Sequence, residues 1–157
     1  MGLPDFETTK KDDEVIVEKQ EVKVEDKPAK PEYDENELLA IFDEIIFSGE
    51  YTEKVSIRGK LNITLRTRTA EEVSKITSKI DLTPSNLIST ANERRALMNL
   101  HFALVEYQGK DISKAKAEDR EKFINSLPAP VIGTLLISLD RFDRKVYKAC
   151  EVGEENF

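Results

Sequence analysis

Few side chains in this sequence are equipped for chemistry. The single histidine, His101, lies between Leu100 and Phe102. A metal site needs several ligands, and neither a second histidine nor a suitably placed thiol is present to supply them. A partly buried, hydrogen-bonded structural histidine is therefore expected. The single cysteine, Cys150, becomes a nucleophile only where a base or a positive environment lowers its pKa. Nothing local supplies either, so it reads as a small packing residue. One cysteine also excludes a disulfide framework and any metal knuckle built on paired thiols. Asp140 and Asp143, interleaved with Arg141 and Arg144, have the spacing of ion pairs on a helix surface rather than of paired catalytic carboxylates. The six glycines are dispersed, which leaves no phosphate-cradling loop. No catalytic residue, cofactor or metal is expected.

Two groups of residues are candidates for binding a partner. The first is basic: Arg58, Arg66 and Arg68 alternate to the polar side of a predicted hairpin and could form a stripe. No aromatic residues interleave with them, as a platform for single-stranded nucleic acid requires, so nucleic-acid contact is disfavoured. A solvated sheet face, or ion pairing with an acidic segment such as another copy's tail, are the remaining readings. The second group is apolar. Glu14-Val15-Ile16-Val17-Glu18 and Glu21-Val22-Lys23-Val24-Glu25 alternate at the period of a strand, placing Val15, Val17, Val22 and Val24 in two short runs. One reading is a solvated leader. The other is an arm that adds to an exposed sheet edge on a neighbouring subunit, with Pro28 and Pro31 as a stiff spacer.

The elements that would carry these residues can be read from capping and periodicity. Asp34 with Glu37 has the form of a capping box, and Leu38, Ile41, Phe42, Ile45 and Ile46 recur at helical spacing until Gly49. Leu39 and Phe47 widen that apolar surface, which suits packing on two sides or a subunit contact. Residues 51–68 read as a β-hairpin around Arg58-Gly59-Lys60. A two-residue loop would pair Ile57 with Asn62 and Val55 with Thr64, mixing apolar and polar on one face. A three-residue loop instead pairs Ile57 with Leu61, Val55 with Ile63 and Glu53 with Leu65, leaving Lys54, Ser56, Asn62, Thr64 and Arg66 opposite. Its weak point is Lys60, where such a loop usually wants glycine. Two strands alone are marginal and need helices behind them or a further strand beside them.

Thr69 with Glu72 forms a second capping box, opening a helix in which Val73, Ile76 and Ile80 share a face. Thr83 and Pro84 start a third helix, expected to run as far as Gly109 with Leu87, Ile88, Ala91, Met98, Phe102 and Val105 on one side and Leu97, Leu100 and Leu104 on another. Ser113 is the candidate start of a fourth helix, contributing Phe123, Ile124 and Leu127. The last runs from about Pro130 to Cys150, burying Ile132, Leu135, Leu136, Leu139, Phe142 and Val146. The expected fold is α+β and mostly α-helical, with one β-hairpin (about 52–68) at the end of a bundle of about five helices and an extended N-terminal arm.

Charge divides the chain at the same place. The 157 residues hold 31 acidic and 24 basic side chains, a formal charge of -7. Residues 1–36 alone hold 12 acidic and 6 basic, so the remainder is close to neutral. Half-charged and carrying three of the six prolines, residues 1–33 read as an acidic arm that cannot build a core by itself, ahead of a single domain over 34–157. The acidity opposes nonspecific attraction to nucleic acid or anionic lipid. No apolar run approaches the roughly 20 residues that cross a bilayer, and no membrane partner is expected. The opening lacks the basic start and apolar stretch of a signal peptide, which implies a cytosolic product.

The runs Phe47-Ser48-Gly49-Glu50-Tyr51, Val55-Ser56-Ile57-Arg58-Gly59-Lys60-Leu61 and Leu65-Arg66-Thr67-Arg68-Thr69-Ala70-Glu71-Glu72 resemble small virion proteins of tailed bacteriophages, and Glu154-Glu155-Asn156-Phe157 is similar in flavour. Baseplate-hub components and tail-assembly chaperones of that kind pair a short hairpin, a threonine-led helix and a helical C-terminal half. The resemblance covers 47–72 and, more loosely, 87–157. It implies a non-enzymatic structural or interaction protein of a tail or baseplate, made in the host cytoplasm, built into the virion and partnered by other virion or assembly proteins or by itself. A soluble tail-assembly chaperone that leaves the particle is the alternative. An enzyme, with a site made of common carboxylates, lysines and tyrosines, is the third and weakest reading.

Overall fold

The computed structural model of the chain describes residues 32–81 and 88–155. The four valines of the proposed arm and the Thr83–Pro84 helix start lie outside the described residues. Among the described residues, five helices and four strands follow in the order α1 (Glu35–Ser48), β1 (Thr52–Ile57), β2 (Leu61–Arg66), α2 (Ala70–Asp81), α3 (Ile88–Ala103), β3 (Leu104–Tyr107), β4 (Lys110–Asp111), α4 (Ala117–Asn125) and α5 (Ala129–Glu155). The fold is thus mostly helical with one small antiparallel sheet, ordered β1-β2-β3-β4.

Helix α1 begins and ends where its residues dictate. The Asp34 carboxylate accepts from the Asn36 N–H at 3.3 Å, relieving one of the donors that every helix start leaves unpaired. Gly49 adopts a left-handed φ of 74°, and its N–H donates to the Ile45 carbonyl at 2.8 Å, a stop that glycine makes without steric cost. The expected reciprocal bond from Glu37 to the cap is replaced. Glu37 reaches instead to Lys145 on α5, at 2.5 Å. Leu38 and Ile41 pack against Ala149, with Tyr33, Ile45, Tyr51 and Val152 around them.

The hairpin adopts the three-residue register: Ile57 opposes Leu61, Val55 opposes Ile63 and Glu53 opposes Leu65. The difficulty at Lys60 is resolved by where the left-handed residues fall. Arg58 and Gly59 take φ of 53° and 65°, and the Lys60 N–H donates to the Ile57 carbonyl at 3.1 Å. The tight turn therefore closes over Arg58-Gly59, with the handedness that matches strand twist, and Lys60 needs no glycine.

The long helix expected to reach Gly109 stops at Ala103. Leu104–Tyr107 becomes β3, pairing with β2 through Ile63–Tyr107, Thr64–Glu106 and Leu65–Leu104. The register shift there leaves Val105 as the extra residue of a bulge. Continuing the helix would have left the outer N–H and C=O groups of β2 without partners next to the core, and pairing removes that cost. Gln108 prolongs the ladder with its side chain, accepting from the Asn62 N–H at 3.0 Å and donating to the Lys60 carbonyl at 3.1 Å. Gln108 and Gly109, with φ of 50° and 77°, turn the chain into β4.

Ser113 does not start a helix. Its N–H and hydroxyl both donate to the Asp111 carboxylate, at 2.8 and 2.6 Å, closing a turn after β4, and α4 starts later, at Ala117. One sheet face, through Ile63, Leu65 and Leu104, meets Leu100 and Ala103 of α3, Ile124 of α4, and Leu135, Leu139 and Phe142 of α5. This is the main core, and burying large aliphatic side chains contributes about 1.5–3 kcal/mol each before entropy is counted. A smaller cluster of Ile76, Ile80 and Met98 joins α2 to α3. Val73, expected on that face, is exposed.

Candidate interaction surface

The three arginines expected to form a stripe are separated by their partners. Arg66 makes a two-pronged contact with Glu72, at 2.6 and 3.0 Å, the fork geometry that suits guanidinium and carboxylate. Glu72 also accepts the Thr69 N–H at 2.9 Å, while the Thr69 hydroxyl accepts the Glu72 N–H at 3.2 Å. The capping box is thereby fastened to the end of β2. The bond to Glu72 raises the Arg66 pKa further. Burial pushes the Glu72 carboxyl up, but the bonds from Arg66 and Thr69 outweigh it and hold the group below its usual range. Arg68 lies beyond the strand and pairs with Asp143 of α5 at 2.6 Å; burial pushes Asp143 up more than Arg68 pulls it down. With 13% and 12% of their side chains exposed, Arg66 and Arg68 serve the fold. Arg58, at the hairpin tip, is exposed.

Behind the hairpin, Lys145 is held by Glu37 at 2.5 Å and Glu53 at 3.4 Å. Burial alone would lower its pKa, but the bond to Glu37 and the charge of Glu53 raise it. The Tyr51 hydroxyl donates to Glu53 at 3.1 Å, and the ring stacks on Phe142 with centroids 5.8 Å apart. Burial, and then the Glu53 charge, push the Tyr51 phenol up to about 12. This cluster locks α1, β1 and α5 together and has the character of a structural joint.

Cys150 is half-buried, and burial followed by the Glu154 charge pushes its thiol up, the opposite of what a nucleophile needs. Asp140 and Arg144 form an exposed ion pair at 2.9 Å, one helical turn apart. Among the described residues no three His, Cys, Asp or Glu side chains gather as a metal site would require, and no single helix is long and apolar enough to cross a membrane.

Among the described residues, two features remain open to a partner. The first is β1, a six-residue strand at the outer edge of the sheet, whereas the opposite edge, β4, has only two residues. A strand edge presents a row of N–H and C=O groups ready to pair with another chain. The second is the end of α1 just before β1, where Phe47 is 85% and Ile46 60% exposed. The width of the apolar surface on this helix was visible in its sequence; that these two residues stay uncovered depends on where α5 and the sheet lie.

No protein-family model, curated protein or solved structure matches this chain.

Proposed function

We propose that this protein is a non-enzymatic structural and interaction protein, a tail or baseplate component of the tailed-phage kind its sequence resembles, that joins neighbouring subunits in the virion. The observation that supports this reading best is that, among the described residues, β1 is the outer strand of the sheet and the helix end preceding it leaves Ile46 and Phe47 exposed. The occupant we assign to that edge is the N-terminal segment of a neighbouring copy or virion subunit. Glu14–Glu18 and Glu21–Glu25 are each five residues long, close to the length of β1. Added as a strand, either segment places its two outer valines on the sheet face that Val55 and Ile57 already line, while main-chain hydrogen bonds supply affinity. Charge agrees, because the glutamates flanking each valine pair approach an edge carrying Lys54, Arg58 and Lys60.

The test is the full-length chain with Val15, Val17, Val22 and Val24 replaced together by serine. Incorporation into purified particles, read by mass spectrometry, should be lost while the melting temperature of the isolated protein stays within a degree or so of the parent, as for solvent-side substitutions. Equal incorporation of the serine variant would overturn the assigned arm. Presence of the parent in assembly intermediates but not in finished particles would select a departing tail-assembly chaperone instead.

A further inference from the structure

A second site is carried by observations unrelated to the sheet edge. Helices α2, α3 and α4 line a partly open cavity of about 250 Å³. Its polar wall is formed by Lys79 of α2, Arg94 and His101 of α3, and Arg120, Glu121 and Asn125 of α4; Leu97, Met98 and Phe102 supply an apolar wall. Three helices thus bring three permanent cations and the only histidine of the chain around one hollow. Counting Lys79, Arg94 and Arg120 as +3 and Glu121 as -1 gives the lining a charge of +2 with His101 neutral.

Among the described residues, none of the three cations forms an ion pair. Glu72, whose carboxylate feels the charge of Arg120, is already held by Arg66 and by the Thr69 N–H. Two nitrogens of the lining residues, Nε2 of His101 and Nε of Arg120, are buried without a hydrogen-bond partner. Buried polar atoms nearly always have a partner, and an exception calls for a reason, a bound ligand among them; a third exception, Nη1 of Arg68, lies outside this cavity.

We propose that this cavity is a binding site for a small organic phosphate whose dianionic head is held by Lys79, Arg94, Arg120 and His101 and whose apolar body lies against Leu97, Met98 and Phe102. The head matches the charge of the lining, and its oxygens provide the acceptors that the two nitrogens lack once the side chains turn toward it. The cavity has room for one aromatic ring plus a phosphate. His101 is the natural reporter. In the free protein, burial holds its imidazole below the usual value; around it stand Glu121 and Asn125, which favour the charged ring, and Arg120 and Lys79, which oppose the charge. A phosphate beside Nε2 favours the imidazolium, which donates from both nitrogens.

The experiment uses the full chain and the imidazole NMR signals of His101, unique because the chain has one histidine. Phenyl phosphate, inorganic phosphate and benzoate are titrated separately. Phenyl phosphate should give a saturable shift of the His101 signals and raise the pH midpoint of their titration. Inorganic phosphate, lacking the apolar body, should bind at least several-fold more weakly, and benzoate, with half the charge, more weakly still. Arg120→Gln should remove the saturable shift, and Arg94→Gln, on an exposed position of α3, should weaken it without unfolding the protein. Arg144→Gln, on the surface of α5, should leave it intact. A shift that does not saturate, a benzoate response equal to that of phenyl phosphate, or binding retained in both cavity variants would overturn the proposal.

Discussion

Helix α5 contains two glycines in opposite surroundings, and replacing each by alanine should change stability with opposite sign. Within a helix, alanine is preferred to glycine by about 0.5–1 kcal/mol, because glycine surrenders more backbone freedom on folding. At Gly133 a new methyl meets nothing within 4 Å, so Gly133→Ala should realise most of that gain. At Gly153, which is buried, the methyl would land on Cγ and both Cδ atoms of the Phe42 ring. This is the close approach of α1 to α5. The ring is the rigid middle of an aromatic side chain, so it cannot bend aside, and α1 must move or Phe42 must leave its rotamer. Overpacking of this kind costs about 1–3 kcal/mol, more than the helix preference returns at a position so near the helix end. The two variants should therefore differ by about 1.5–4 kcal/mol, the sum of the two opposed effects. For a body of this size each kcal/mol moves the melting temperature by about 3–5 °C. Circular-dichroism melts and urea titrations of the two variants give the comparison directly. Gly153→Ala combined with Phe42→Ala, which removes Cγ and both Cδ atoms from the contact, should cost less than the sum of the two single substitutions. Gly153→Ala proving as stable as Gly133→Ala would refute the packing of α1 on α5 described above.

The other predictions concern the sheet and the histidine. Ile63→Asp should unfold the body, since it buries an unpaired charge, whereas Ser56→Asp, on an exposed strand position, should change its urea midpoint little. Thr64→Asp should also be strongly destabilising, although alternation places Thr64 on the polar face: it is only 6% exposed, in a strand flanked by β1 and β3. A tolerant Thr64→Asp would mean that the third strand is not paired there. Burial lowers the His101 pKa from 6.5, so the unfolded chain takes up a proton at a higher pH than the folded one. Between those two values the unfolded state binds more protons, and stability must fall as pH drops below about 6.5. His101→Asn should flatten that slope in urea titrations run from pH 7.5 to 5.5, and an unchanged slope would exclude His101 as its source.

What the sequence determined by itself were features that depend on neighbours along the chain. The Thr69–Glu72 capping box needs only residues three apart, and both of its bonds form. The hairpin register was legible because side chains alternate with period two, so only one pairing separates apolar from polar. The burial of Leu135, Leu139 and Phe142 followed from helical spacing alone. What the tertiary structure decided were the contacts between residues distant in sequence. Leu104–Tyr107 continues the apolar spacing of α3 and reads as helix; only the open side of β2 turns it into a strand, although Val105, Tyr107 and the Gln108-Gly109 turn were the local signal. Arg68 looked free because its partner, Asp143, lies 75 residues away, and Glu37 left its expected cap for Lys145 of α5. The lining of the cavity at His101 was invisible for the same reason: Lys79, Arg94 and Arg120 sit on three helices, and nothing in their spacing brings them together. Caps and periods are short-range properties that a linear sequence carries openly, whereas the partner of a charge is set by which surfaces the hydrophobic core brings together.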